Sequence, residues 1–136
     1  MAERLPGDFV ECGVNKGFLS SAIMEHLDWN NQERTFYLLD TFSGLDERYI
    51  SNEERAKGIL EKNRETIASG MYTTTVTPVI ENFSQWRNVK IIQGAVLDTL
   101  PQVKSDRIAF ASIDMNCAPP EIAAMEYLWF LADSGG

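Results

Sequence analysis

Short apolar segments alternate with helical segments along most of this chain. The first apolar run, DFVEC, precedes a stretch with apolar residues at helical spacing, and the next run, TFYLLD, is almost wholly apolar. A strand that helices cover on both faces has this composition, whereas a strand with one solvent face alternates apolar and polar residues. The alternation therefore predicts an α/β fold with a mostly parallel sheet.

Four strands and four longer helices can be placed on this pattern. The strands are predicted at 8–12, 35–40, 89–94 and 107–114, an extended segment at 71–76, and the helices at 18–29, 51–70, 78–86 and 121–133. Ser51 and Glu54 have the spacing of a capping box, which marks the start of the second helix. Gly70 suits the left-handed residue that ends it. Thr77 before Pro78 predicts the cap and the first residue of the third helix.

The length and charge of the chain restrict its partners. At 136 residues it is expected to form a single domain, 1–136. The 12 Lys and Arg residues against 20 Asp and Glu residues give a net charge of -8, which repels a polyanion and argues against nucleic-acid binding.

Membrane and redox signals are consistent with a cytoplasmic protein. No apolar run approaches the length of a membrane span, so no membrane partner is expected. Cys12 and Cys117 lie far apart in apolar surroundings, which predicts reduced, buried thiols.

The loop after the first strand, FVECGVNKG, is the candidate ligand loop. Gly13 and Gly17 would let the backbone approach a ligand, although a plain strand-to-helix turn has the same composition. Glu11 and Asp40 add carboxylates at the ends of the first two strands. The loop lacks the middle glycine of G-x-G-x-x-G, and Asp40 lies 27 residues beyond Gly13. An adenosyl ligand without a pyrophosphate therefore fits better than a dinucleotide.

Five ordered motifs resemble those of one family. PGDFVECGVNKG resembles the first motif of the macrocin O-methyltransferase family, whose members are class I enzymes that use S-adenosylmethionine (SAM). Four further segments resemble the later motifs of the family in the same order: LLDTFSGLDE, VTPVIENF, VKIIQGAVLDTLP and RIAFASIDMN. The resemblance implies a Rossmann-like core with strand order 3-2-1-4. It also implies that 1–136 is a partial methyltransferase domain that ends before a fifth strand.

The resemblance assigns cofactor-binding roles along the chain. By this resemblance, Glu11, Gly13 and Gly17 would form the SAM loop, and Asp40 would hold the ribose hydroxyls. Thr41 and Phe42 would line the ribose side, and Gly94 and Ala95 would lie near the adenine.

Asp114, at the end of the fourth strand, resembles a catalytic acid that binds a divalent metal. The resemblance implies Mg²⁺ there, where it would activate and orient the acceptor hydroxyl. The chain departs from the family in having Asp114-Met115-Asn116 instead of Asp-Gly-Asp, and Ala118 instead of an aromatic residue. The other acidic ligands of the family follow a fifth strand, beyond Gly136.

The function implied by the resemblance is methyl transfer from SAM to a hydroxyl of a small molecule, such as a sugar of a natural product. Two alternatives stay open. An NAD-dependent oxidoreductase is disfavoured by the missing glycine, and a non-catalytic nucleotide-binding or assembly module would not need the downstream acids. The apolar run IAFAS at an open sheet edge also predicts self-association into a homo-oligomer.

Overall fold

The protein forms a four-stranded parallel sheet with helices on both faces. The computed structural model describes residues 5–42, 50–69, 75–115 and 118–133. The strands are β1 (Asp8–Cys12), β2 (Phe36–Asp40), β3 (Val89–Gln93) and β4 (Ile108–Ile113). Their order in the sheet is β3-β2-β1-β4, and every pairing is parallel. The predicted fold class and strand order are therefore confirmed.

One or more helices connect each strand to the next, as parallel pairing requires. They are α1 (Phe18–His26), α2 (Asn52–Ala56), α3 (Ile59–Ala68), α4 (Thr77–Phe83), α5 (Val96–Thr99) and α6 (Ala118–Asp133), with single 3₁₀ turns at Trp29–Asn31 and Leu100–Gln102. Within the described ranges, none of these helices combines the length and the apolarity that crossing a membrane would require.

The core consists of two apolar clusters, one on each face of the sheet. Successive strand residues point to opposite faces. Phe9 and Phe36 accordingly belong to the cluster under α1 and α4, while Val10 and Tyr37 belong to the cluster under α5 and α6. The first four residues of β2 are all buried, which confirms the prediction that this strand is covered on both faces.

The segment predicted as one helix from Ser51 to Gly70 contains two helices. Gly58 follows α2 with a φ of +73°, a left-handed conformation that stops the helix after five residues. The predicted capping box is present, since Ser51 Oγ accepts the N–H of Glu54 and the Glu54 carboxylate accepts the N–H of Ser51. Gly70 and residues 71–74 lie outside the described ranges.

The predicted starts of α4 and α6 were wrong by one and three residues, respectively. The N–H groups of Val79 and Ile80 both donate to Val76 O, so Val76 is the cap of α4 and Thr77 its first residue. Helix α6 begins at Ala118 and includes both following prolines in its first turn, where no N–H is needed. The short helix α5 was not predicted.

Candidate cofactor-binding site

Three backbone hydrogen bonds, each 2.9 Å long, join the carboxyl ends of the four strands. They run from the N–H of Gly94 to Asp40 O, from the N–H of Gly13 to Leu39 O, and from the N–H of Asp114 to Cys12 O. Because the strands are parallel, these ends lie along one edge of the sheet. The structure therefore brings Gly94, Asp40, Gly13 and Asp114, four of the predicted site residues, onto adjacent strand ends.

Both loop glycines are required by close backbone packing. Gly13 has a φ of +94°, and a Cβ there would lie 1.9 Å from Asp114 O. Gly17 has a φ of +85°, and its Cβ would lie 2.4 Å from the ring of Phe83 in α4. Neither position accepts a side chain without movement of its neighbour. The fold alone thus accounts for both glycines, before any ligand is considered.

The Asp40 carboxylate connects the end of β2 to the loop after β1. Oδ2 accepts the N–H of Asn15 at 2.7 Å, and Oδ1 accepts the N–H of Phe42 at 3.0 Å. Asn15 and Phe42 are both in the left-handed region, with φ of +54° and +56°. An ionised carboxylate has about four acceptor positions. The Thr41 hydroxyl also donates to Oδ1, at 3.5 Å. The half-buried Asp40 therefore keeps only part of its acceptor capacity for ligand hydroxyls.

Glu11 is a buried carboxyl group at the end of β1. It is 4% exposed, and the Ser20 hydroxyl, fully buried in α1, donates to its Oε1 at 2.5 Å. Burial raises the pKa of Glu11; the Ser20 hydrogen bond opposes this, the negative charges of Asp40 and Asp114 add to it, and the pKa reaches about 7. At neutral pH this group is therefore poised between its charged and uncharged forms.

The helical spacing of Leu19, Ile23, Met24 and Leu27 predicts the buried face of α1, and this prediction did not include Ser20. Met24 is fully buried, and Ile23 and Leu27 pack against the same cluster, which confirms most of the face. Leu19 is instead 48% exposed, and Ser20 is fully buried. Residues four positions apart share a helix face. A serine four residues before the buried Met24 was the signal that could have identified it.

The remaining predicted cofactor residues flank the same edge. Thr41 is half-buried, and Phe42 is 1% exposed, with its ring in the cluster under α1 and α4. Gly94 has a φ of +145°, and Ala95, 6% exposed, is the N-cap residue of α5. The adenine and ribose contacts assigned to these residues stay predictions.

The described residues do not offer a magnesium site around Asp114. Asp114 is exposed just after β4. Across the described ranges, no three His, Cys, Asp or Glu side chains come together in a way that could hold a metal ion. Magnesium takes about six oxygen ligands, so Asp114 alone does not fit it. Asn116 and Cys117 lie outside the described ranges.

Cys12, beside Glu11 on β1, is a buried free thiol. Burial, together with the negative charges of Glu11 and Asp40, raises its pKa to about 12. The thiol is therefore protonated and unreactive at neutral pH.

Comparison with known proteins identifies the family. The family model described as Macrocin-O-methyltransferase (TylF) matches residues 1–136. The chain belongs to the macrocin O-methyltransferase family. No match was found among curated proteins.

Two solved structures share the fold of this macrocin O-methyltransferase family member. The O-methyltransferase NovP matches with a TM-score of 0.73 and 23% identity, over 94% of this chain and 53% of its own. CalS11, a calicheamicin methyltransferase, matches with a TM-score of 0.57 and 19% identity, over 96% of this chain and 55% of its own. The chain thus spans about half the length of each structure.

Proposed function

We propose that the chain binds SAM at the carboxyl ends of its strands, as the cofactor-binding part of an O-methyltransferase that acts on a small hydroxylated molecule. The supporting observation is the placement of Glu11, Asp40 and Asp114 on adjoining strand ends beside the glycine loop. SAM carries a sulfonium and an ammonium group, which the carboxylates of Asp40 and Asp114, and Glu11 in its ionised form, attract. The pyrophosphate of NAD would be repelled, so this arrangement disfavours the oxidoreductase alternative.

Each residue receives a role that its surroundings allow. Asp40 accepts from the ribose hydroxyls with the acceptor capacity that Asn15, Thr41 and Phe42 leave open. Gly13 and Gly17 keep the loop backbone bare beside the cofactor. The adenine lies near Gly94 and Ala95. The ribose side is lined by Thr41 and by Phe42, whose buried ring leaves only its backbone for this contact.

Asp114 is proposed to contact the acceptor. SAM supplies an electrophilic methyl group. The exposed Asp114 carboxylate accepts a hydrogen bond from the acceptor hydroxyl. This bond orients the hydroxyl, and the carboxylate takes up the hydroxyl proton as the methyl group is transferred. No step is assigned to a metal. The names of the family and of one structural relative contain macrocin and calicheamicin, and we extend this to a sugar hydroxyl of a natural product as the acceptor. The buried, free Cys12 supports a cytoplasmic location.

Calorimetry with SAM, S-adenosylhomocysteine and NAD⁺ tests the cofactor. We expect the two methyl-cycle ligands to bind and NAD⁺ not to bind. Asp40→Asn should weaken SAM binding at least about tenfold, since it removes one hydroxyl acceptor and a charge. Asp8→Asn is the matched control, because Asp8 accepts the N–H of Thr35 at the opposite end of the same sheet. Binding of NAD⁺ alone, or equal losses in both variants, would contradict the proposal.

Turnover is tested separately, by conversion of SAM to S-adenosylhomocysteine in the presence of hydroxylated acceptors. Asp114→Asn should retain SAM affinity within a few fold and lower turnover by about 100-fold. SAM binding without turnover by the unaltered chain would instead support the nucleotide-binding module.

A further inference from the structure

The Ser20–Glu11 pair is a buried contact between a helix and a strand. In the alternation of β1, Glu11 falls on the same face as Phe9, towards α1. There Ser20, the third residue of α1, donates to its carboxylate, and both side chains are buried. A hydroxyl that donates to a carboxyl oxygen stabilises the charged form of the acid. Ser20 therefore favours ionisation of Glu11.

The charges around Glu11 act in the opposite direction. Asp40 is the last residue of β2, and Asp114 comes directly after β4. The negative charges of both side chains disfavour a negative charge on Glu11. The thiol of Cys12 stays neutral because its pKa is raised to about 12. The other titratable groups of the β1–α1 loop, α1 and α4 are exposed: Lys16, Glu25, His26 and Glu81. Glu11 is thus held between one hydrogen-bond donor and two carboxylates.

We propose that Ser20 is a positioning residue that sets the protonation state of Glu11, and that a cationic cofactor bound at this edge displaces the Glu11 proton. The inference rests on the proposed function for the identity of the cofactor. The proton leaves the Glu11 carboxyl for solvent, and the positive charge of the ligand takes its place beside the carboxylate. No bond in the ligand changes. Cofactor affinity then depends on pH through Glu11.

The coupling has a defined direction. Where Glu11 is already ionised, the ligand binds without displacing a proton from it, and Glu11 adds no pH dependence to the affinity. Where Glu11 is protonated, affinity falls about tenfold for each unit of decreasing pH. Because burial raises the pKa of Glu11 to about 7, binding near neutral pH should release a fraction of a proton per ligand, and this fraction should grow as the pH falls.

The variant Ser20→Ala separates this role from simple packing. Without the hydroxyl, the pH midpoint of SAM affinity should move upward by about 1 to 2 pH units, and affinity should recover at alkaline pH. Ser20→Thr keeps the hydroxyl and should restore the midpoint. If Ser20→Ala does not fold, Ser20→Cys replaces it, because cysteine has a similar volume and a much weaker hydrogen-bond donor. Ser21→Ala is the matched control, because Ser21 is the next residue of α1 and its hydroxyl oxygen accepts a hydrogen bond from the Asn82 side-chain amide.

The experiment is SAM calorimetry on the full chain between about pH 5.5 and pH 9.5, in pairs of buffers that differ in ionisation enthalpy. The ligand-free Glu11 carboxyl is titrated in parallel by carbon NMR. Proton release by the unaltered chain, no release by Glu11→Gln, and an upward shift in Ser20→Ala alone are the expected results.

The two measurements distinguish the inference from the proposed function. Absence of SAM binding at every pH would overturn the proposed function and the displacement step. Binding without proton release would overturn the displacement step alone. An NMR midpoint that moves no further in Ser20→Ala than in Ser21→Ala would overturn the role of Ser20, whatever the cofactor.

Discussion

The carboxylate of Glu54 accepts the backbone N–H of Ala118, 64 residues further along the chain, at 2.9 Å. Its other oxygen accepts from the N–H and the hydroxyl of Ser51. One side chain therefore completes the capping box of α2 and places a negative charge at the N-terminus of α6. The segment that begins at Ser51 is connected in this way to the helix that follows Asp114.

Removing this charge should destabilise the fold. We expect Glu54→Gln to lower the free energy of unfolding in urea by about 1 kcal/mol, because the amide replaces one acceptor oxygen with a donor. Glu53→Gln is the control, since Glu53 is exposed in the same turn of α2. Equal losses in the two variants would show that the contact with Ala118 contributes nothing.

The same contact should respond to acid. Partial burial would raise the pKa of Glu54, but hydrogen bonds from Ala118 and Ser51 outweigh it and lower the pKa. The stabilisation is then complete above the pKa of the unfolded chain and is lost as the pH falls through the folded value. In urea titrations, the difference between the unaltered chain and Glu54→Gln should therefore shrink in acid. A pH-independent difference would contradict this.

Glu11 should produce the opposite dependence. Its folded pKa is raised from the ordinary 4.5 to about 7, so the protonated form stabilises the fold and that stability is lost as the pH rises through this window. As the pH rises from acid to neutral, the free energy of unfolding of Glu11→Gln should increase by roughly 3 kcal/mol relative to that of the unaltered chain. Chemical denaturation at several pH values measures this gain. Glu25→Gln, an exposed change in α1, should show no such trend, and a flat difference for Glu11→Gln would refute the expectation.

The sequence predicted what depends on local chemistry and periodicity. The four strands, the capping box at Ser51 and the glycine loop all follow from residue type and spacing. The ordered motifs supplied the sheet order and the family, because they concern the whole chain. The edge that gathers Gly13, Asp40 and Asp114 follows from parallel pairing once the order is known.

What the sequence did not predict depends on contacts between distant residues. Ser20 and Glu11 are nine positions apart, and their contact requires the rotation of α1 on the sheet. The contact between Glu54 and Ala118 depends on the path of the long connection between β2 and β3. Local pattern does not contain these two relationships. The break at Gly58 differs from them, because a glycine within a predicted helix is itself a local signal that the helix can end there.

The apolar surface of α6 bears on the predicted self-association. Ile122, Met125 and Trp129 are 58%, 60% and 73% exposed and share one helix face, next to β4, the outermost described strand on that side. We expect a concentration-dependent dimer in sedimentation velocity that Trp129→Glu weakens at least about tenfold. Phe18→Glu is the matched control, because Phe18 is 76% exposed on α1. A monomer at high concentration, or equal weakening by both variants, would contradict this.

Gly13 should tolerate substitution much less than Gly58, although both have positive φ. Gly58→Ala meets only Glu61 Oε2, at 3.6 Å, so it should cost about 1 to 2 kcal/mol of backbone strain. Gly13→Ala carries the same strain and also places its Cβ 1.9 Å from Asp114 O, which must move and disturb the bond between Asp114 and Cys12. We expect a loss of about 4 kcal/mol or more in urea unfolding, or no folded protein. Similar losses at the two positions would mean that the ends of β1 and β4 can move apart at little cost. The close contact between Gly13 and Asp114 would then not be needed for the fold.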